Sequence, residues 1–142
     1  MKDLVFNIIE ELPAYDPQEK IDGWIYLIKI DTDKEYIYDP QNHKKVFPYY
    51  IGKSHHITKR IKSHMMEAEN PFNKEQTKLY RYINMFMDGE FDAKRIKFYV
   101  LEKGKYTRDE LIDLEADYII KYKSAKQGMN TADPEVDYGE EN

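Results

Sequence analysis

Tyr26, Tyr50, Arg60, His64 and Glu115 are the side chains of this 142-residue chain whose types and order could together handle a phosphate group. Arg60 and His64 stand four residues apart, about one helical turn, so both can point at one site. An arginine offers a planar fork that matches phosphate oxygens and stays charged at any working pH. Glu115 sits at three- and four-residue offsets among Leu111, Leu114, Tyr118, Ile119 and Tyr122, the stripe that would face a core. A carboxylate there is costly unless it meets a cation, a hydrogen-bond donor or a metal. Arg60 or a lysine would satisfy it; so would Mg²⁺, which keeps most of its waters and needs few protein oxygens. A tyrosine serves as a general base only with help, because its ordinary pKa of about 10 leaves little phenolate at neutral pH. A nearby metal, lysine or arginine lowers that pKa, and a metal-bound water is the other route to a nucleophile. Lys53 follows Gly52, where a small residue permits close backbone approach to a ligand.

The elements that must carry these groups follow from periodicity. Trp24 to Ile30 is rich in β-branched and aromatic residues and apolar on both faces, which predicts a strand covered on both sides. Asp31 to Lys34 is turn chemistry, Glu35 to Asp39 adds a short extended piece, and Val46 to Ile51 is the second strand, after which Gly52 is expected to turn the backbone sharply. Tyr26 and Tyr50 would lie across from each other if these strands form a hairpin. From His56 to about Glu69, Ile57, Ile61, His64, Met65 and Ala68 recur at helical spacing, and Asn70-Pro71 closes the element. A second helix spans roughly 74–87 with the stripe Leu79, Tyr82, Ile83, Phe86, Met87 and the stop Asp88-Gly89. Lys94 to Leu101 alternates as a half-buried strand, with Ile96, Phe98 and Val100 inward. Thr107 and Glu110 form a capping box that opens a helix to about Lys123. A short helix is expected within 3–12, and the acidic segment 133–142 is expected to be disordered. The order suggests an α+β fold, a small antiparallel sheet with helices against it.

Length and composition bound the rest. The chain has the size of one domain. It lacks cysteine, so disulfides and thiolate metal sites are excluded. No stretch has the look of a secretory signal or approaches membrane-spanning length, which predicts a cytoplasmic protein with no membrane partner. A formal net charge of −5 argues at first against a nucleic-acid partner. The average conceals a division: residues 47–130 hold 16 Lys and Arg against 12 Asp and Glu, and the acidic excess lies outside them. Between Pro40 and Met66 there is no acid at all, but there are Lys44, Lys45, Lys53, Lys59, Arg60, Lys62 and all four histidines. This patch is the expected nucleic-acid contact.

Together these residues resemble the GIY-YIG nuclease family over roughly Gly23 to Asn130. Tyr50-Ile51-Gly52 matches the family's second signature. Arg60 ten residues after Tyr50, His64 one turn later, Leu114-Glu115 in the last long helix and Asn130 fifteen residues past Glu115 follow the family's pattern. The resemblance implies a sheet of about three strands flanked by helices, and a Mg²⁺- or Mn²⁺-dependent DNA endonuclease that hydrolyses phosphodiester bonds by in-line water attack. It implies Tyr26 as general base, Tyr50 as a positioning phenol, Arg60 as the group stabilising the pentacovalent phosphate, and Glu115 as the metal ligand. Lys53 and His64 would assist at the phosphate and Asn130 would brace the site.

Two departures stand out. The first signature reads Trp24-Ile25-Tyr26 with its glycine one place early, at Gly23, and the stretch 31–48 makes a longer hairpin than usual. The expected organisation is an N-terminal extension, 1–22, a nuclease domain, 23–132, and the acidic tail, 133–142. No separate DNA-reading module is expected, so specificity falls to the hairpin insertion, the N-terminal extension, a homodimer or a protein partner. The rival reading is a non-cleaving module of the same fold that binds nucleic acid or protein. A zinc site on His55, His56 and His64 is a third, disfavoured because adjacent histidines on a helix diverge and no cysteine assists them.

Overall fold

The computed structural model describes residues 16–70, 78–131 and 134. The expected helix within 3–12 lies outside them, as does the acidic tail apart from residue 134. The elements are β1 (Ile21–Ile30), β2 (Ile37–Asp39), β3 (Lys44–Val46), β4 (Tyr49–Ser54), α1 (Ile57–Glu69), α2 (Lys78–Phe86), a 3₁₀ turn (Ala93–Arg95), β5 (Ile96–Tyr106) and α3 (Arg108–Tyr122). The fold is α+β: an antiparallel sheet in the order β4-β1-β5, with β2 and β3 as a separate hairpin. Among the described residues no helix is long and apolar enough to cross a membrane.

β1 is the central strand, and its two apolar faces have two different covers. Tyr26, Ile28 and Ile30 point into a core shared with Ala68 of α1, Leu79, Ile83 and Phe86 of α2, and Ile37 and Val46 of the hairpin. Ile25 points the other way, against Ile51 of β4 and Leu111 and Ile119 of α3. Each buried aliphatic side chain contributes roughly 1.5–3 kcal/mol, so a strand buried on both faces holds three layers together. The ends of the helices obey their local chemistry. Thr107 and Glu110 complete the capping box of α3; Asp88 and Gly89, both at positive φ, end α2, and Lys123 at φ 55° ends α3.

The structure departs from the sequence reading in four places. The expected second strand is two strands: Pro48, which has no N–H to donate, interrupts it, and its carbonyl instead accepts from the Ile30 amide at 3.0 Å. Gly52 does not turn the chain; β4 runs through it to Ser54. β1 begins at Ile21 and β5 continues to Tyr106, because pairing of Ile21 with Tyr106 and Gly23 with Gly104 overrides the weak strand propensity of the Gly104 region. The facing glycines leave the space the Tyr106 ring occupies; a Cβ on either would meet that ring at 2.9 Å or less. Two residues expected to face a core are exposed, Val100 at 56% and Tyr122, at the end of α3, at 37%. A bulge between Ile25 and Tyr26 shifts the β1–β5 register at this point.

The β2–β3 hairpin is built into the core. Besides Ile37 and Val46, the hairpin buries Asp39, whose carboxylate accepts from the Tyr82 hydroxyl, the Asn42 amide at 2.7 Å and the Gln41 backbone, with Arg81 at 3.5 Å. Burial pushes the Asp39 carboxyl up, but the Tyr82 and Asn42 donors win and hold it at about 2. The hairpin is thereby tied to α2.

Gly52 generates the first prediction. A Cβ at this position would sit 2.3 Å from both Cζ and Oη of the Tyr26 ring. Gly52→Ala is expected to displace the ring and destabilise the fold by about 1–3 kcal/mol, the range for overpacking a core. Urea unfolding checks this, and Gly104→Ala, which would meet the Tyr106 hydroxyl end, is the reference substitution.

Candidate active site

Tyr26 and Tyr50 are not directly opposite one another. The register pairs Tyr26 with Gly52 and Tyr50 with Ile28, which places both phenols on the same face of the sheet, one step apart along the strands. Because Gly52 has no side chain, the Tyr26 ring lies across it and its hydroxyl comes to rest over β4. There it meets α1: Tyr26 Oη is 2.6 Å from His64 Nε2. Tyr50 packs beside them, its ring centroid 6.1 Å from that of His64. The N-terminal half of α1 brings Arg60, exposed, close enough to act electrostatically on Tyr26, Tyr50, His64 and Glu115.

Glu115 approaches from the other layer. Lys53 lies on the α3 face of β4, opposite Ile25, and its Nζ is 3.7 Å from Glu115 Oε1. Burial raises the Glu115 carboxyl above its ordinary value despite the opposing Lys53 ammonium, Lys53 backbone amide and Arg60. The lysine partner weighed from sequence is therefore present, yet the carboxylate remains under-compensated. Since β4 is an edge strand, groups from both faces of the sheet converge around it: Tyr26, Tyr50 and His64 from one side, Lys53 and Glu115 from the other.

The outer rim of β4 is closed by the segment after α3. Met129 N donates to Tyr49 O at 2.7 Å. The Asn130 side chain then takes the place of a neighbouring strand, accepting from Ile51 N at 2.8 Å and donating to Ile51 O at 2.9 Å. Gly128 makes the close approach possible, as a Cβ there would sit 2.6 Å from Tyr49 O. Asn130 thus holds the strand that carries Tyr50, Gly52 and Lys53.

The expected basic residues divide. Ser54, His55, His56, Lys59, Arg60 and Ser63 line a groove of about 360 Å³ at the start of α1. Lys62 is exposed on the same helix. Lys44 is instead a structural tie, donating to Ala125 O at 2.9 Å and Gly128 O at 3.3 Å. Lys45 lies over the Tyr36 ring, 4.6 Å from its centroid, on the hairpin. Of the groove residues, His55, His56, Lys59 and Arg60 are among the Lys, Arg and His of the acid-free run from Pro40 to Met66, whereas nothing in the sequence marks Ser54 and Ser63.

Burial dominates the titration of the site. Tyr26 is pushed well above the ordinary phenol range, chiefly by burial and then by Tyr50, and Tyr50 is pushed up to about 12 by burial and Glu115. His64 is lowered to about 4 by burial and then by the Arg60 charge, so it is neutral at neutral pH. As for metals, no group of three or more His, Cys, Asp or Glu among the described residues could hold an ion, so the three histidines do not form a zinc site. A single half-buried carboxylate such as Glu115 suits a hard cation that takes its other oxygens from water and a bound phosphate.

No family model matches this chain, and no curated protein matches it in sequence. Among solved structures, it is similar to the catalytic domain of the intron endonuclease I-TevI, in a mutant form, with a TM-score of 0.53 and 24% identity. The match covers 84% of this chain and 100% of the other. The likeness establishes that the chain has a GIY-YIG-type fold.

The His64 shift has a measurable consequence. Its folded-state pKa lies below the ordinary value near 6.5, so between pH 6.5 and 4 the unfolded chain binds a proton that the folded chain refuses. The stabilisation is complete above about pH 6.5 and lost as pH falls through about 4, with a slope of up to about 1.4 kcal/mol per pH unit. Urea titrations across this window are expected to show that slope in the native chain and its loss in His64→Gln.

Proposed function

We propose that this chain is a divalent-metal-dependent DNA endonuclease that hydrolyses phosphodiester bonds by in-line attack of water. The observation that carries the reading is the 2.6 Å Tyr26–His64 hydrogen bond, set beside Arg60 and across the edge strand from Glu115. A fold-preserving descendant that only binds would have no need for a buried phenol aimed at a neutral imidazole and flanked by an arginine and a carboxylate.

The chemistry follows from the charges. Burial keeps Tyr26 protonated, so a standing phenolate is not the base. Water attack is instead coupled to a shift of two protons: Tyr26 Oη takes a proton from water while its own proton passes to His64 Nε2. Arg60 opposes the imidazolium that results, because its charge lowers the His64 pKa. A phosphodiester paired with the Arg60 guanidinium cancels that penalty, so His64 becomes a better acceptor when substrate is bound. The new P–O bond forms as the opposite P–O bond breaks, and the leaving oxygen takes its proton from solvent. Tyr50 orients the phosphate, and Arg60 stabilises the charge that builds on its equatorial oxygens. Glu115 would hold a divalent cation, whose chemistry is Lewis-acid stabilisation of the phosphate and leaving oxygens. Lys53, the groove residues Lys59 and Arg60, and Lys62 and Lys45 contact the nucleic-acid backbone.

Supercoiled circular DNA tests the proposal. Cutting is expected with Mg²⁺ or Mn²⁺, abolished by chelator, and lost in Glu115→Gln with DNA binding largely retained. Arg60→Ala, at an exposed position, is expected to slow cleavage by roughly 10²–10³ with an unchanged unfolding midpoint, the range for losing one transition-state charge partner. Binding is expected to weaken steeply with salt, through phosphate contacts made by the basic patch despite the acidic net charge. Unaltered cleavage in both variants would refute the assignment; binding without cleavage in the native chain would favour the non-catalytic module.

A further inference from the structure

His64 has a second partner that the Tyr26 chemistry does not use. Its Nδ1 lies 3.0 Å from the hydroxyl of Tyr80, a half-buried residue of α2 outside that helix's core-facing stripe. The two bonds differ in length, and the difference has a meaning. In the resting chain Tyr26 is 2% exposed and its hydroxyl makes no other hydrogen bond among the described residues, which favours Nε2 as the acceptor of its proton. The 2.6 Å separation suits an O–H donor. Nε2 is then the bare nitrogen, and a neutral ring with Nε2 bare carries its proton on Nδ1. The 3.0 Å contact is therefore Nδ1–H donating to the Tyr80 oxygen, at the ordinary N–H···O length. Tyr80, being half-buried, can give its own hydroxyl proton to water.

We propose that Tyr80 is a positioning residue that holds His64 in the Nδ1–H tautomer, leaving Nε2 free to accept the Tyr26 proton. This rests on the nuclease reading for its catalytic meaning, but the tautomer is a property of the resting chain. In the opposite tautomer Nε2–H would donate to Tyr26, the phenol proton would point elsewhere, and the relay from water through Tyr26 would be blocked. The other groups facing the ring do not fix its tautomer. Tyr50 of β4 and Phe98 of β5 make ring contacts, at centroid separations of 6.1 and 6.5 Å, and Arg60, one turn away on α1, acts through its charge. Glu67 acts on Tyr80 and not on His64.

The test is Tyr80→Phe, which keeps the ring and removes only the acceptor. Nitrogen-15 NMR of histidine-labelled protein distinguishes protonated from bare ring nitrogens, and the His64 signals are assigned by their absence in His64→Gln. The native chain is expected to show a protonated Nδ1 and a bare Nε2 at neutral pH, and Tyr80→Phe to move the proton to Nε2. DNA cleavage by Tyr80→Phe is expected to fall in kcat by roughly 10- to 100-fold with KM little changed, within the range for general acid–base assistance. A His64 that keeps its tautomer in Tyr80→Phe, or a native ring protonated on Nε2, overturns the proposal, as does a changed tautomer with full kcat. If the native chain cuts no DNA, a tautomer change still supports the Tyr80 assignment, so the nuclease reading and this one fail separately.

Discussion

The site depends on one steric fact: the Tyr26 ring occupies the place where residue 52 would have its side chain. Two antiparallel strands put directly paired side chains on the same face, so a long aromatic on β1 can extend across β4 only if its partner has none. Gly52 supplies that gap without any special backbone conformation. The ring then delivers its hydroxyl to His64 on α1, which ties strand, edge and helix into one unit. The arrangement also explains why burial governs the chemistry. A phenol inside the main core, alongside Ile28 and Phe86, is kept protonated, and an imidazole beside it is kept neutral. The resting pair is uncharged, and the Arg60 charge opposes protonation of the ring.

An edge strand that bears a site must be held along its rim, because nothing pairs with it there and an open rim invites other chains. The segment after α3 supplies that support with different groups at successive outward positions: the Met129 amide at Tyr49, and the Asn130 side chain at Ile51. Beyond them the Glu115 carboxylate stands beside Lys53. The rim is thus closed where support is needed and ends in a charged pair where the site begins. The hairpin insertion contributes to the same frame. Its Lys44 ties down the carbonyls of Ala125 and Gly128, and its Asp39 is anchored by α2, so the hairpin reinforces the core instead of hanging from it.

Charge is distributed on the same plan. The acid-free run from Pro40 to Met66 places its basic groups along the hairpin, β4 and the first turns of α1, and the groove formed by Ser54, His55, His56, Lys59, Arg60 and Ser63 continues directly into the site through Arg60. A local positive surface can therefore exist on a chain whose net charge is negative.

The sequence by itself determined the fold class, the apolar stripes of the first two helices, the capping box at Thr107 and the two-sided burial of β1, and it named Tyr26, Tyr50, Arg60, His64, Glu115 and Asn130 as candidates. These are local or periodic properties: a stripe, a cap or a signature is written in neighbouring residues. Tertiary structure alone decided what depends on which strands touch and in which register. Pairing with β1 carried β5 on to Tyr106, Pro48 split the second strand, and Gly52 proved to be a space-maker for a side chain 26 residues away. It also engaged Lys44, paired Glu115 with Lys53, and brought Tyr80 from a separate helix to the far nitrogen of His64. None of these is legible in one sequence, because each is a contact between residues whose separation along the chain carries no periodic signal, and only the packed sheet brings them together.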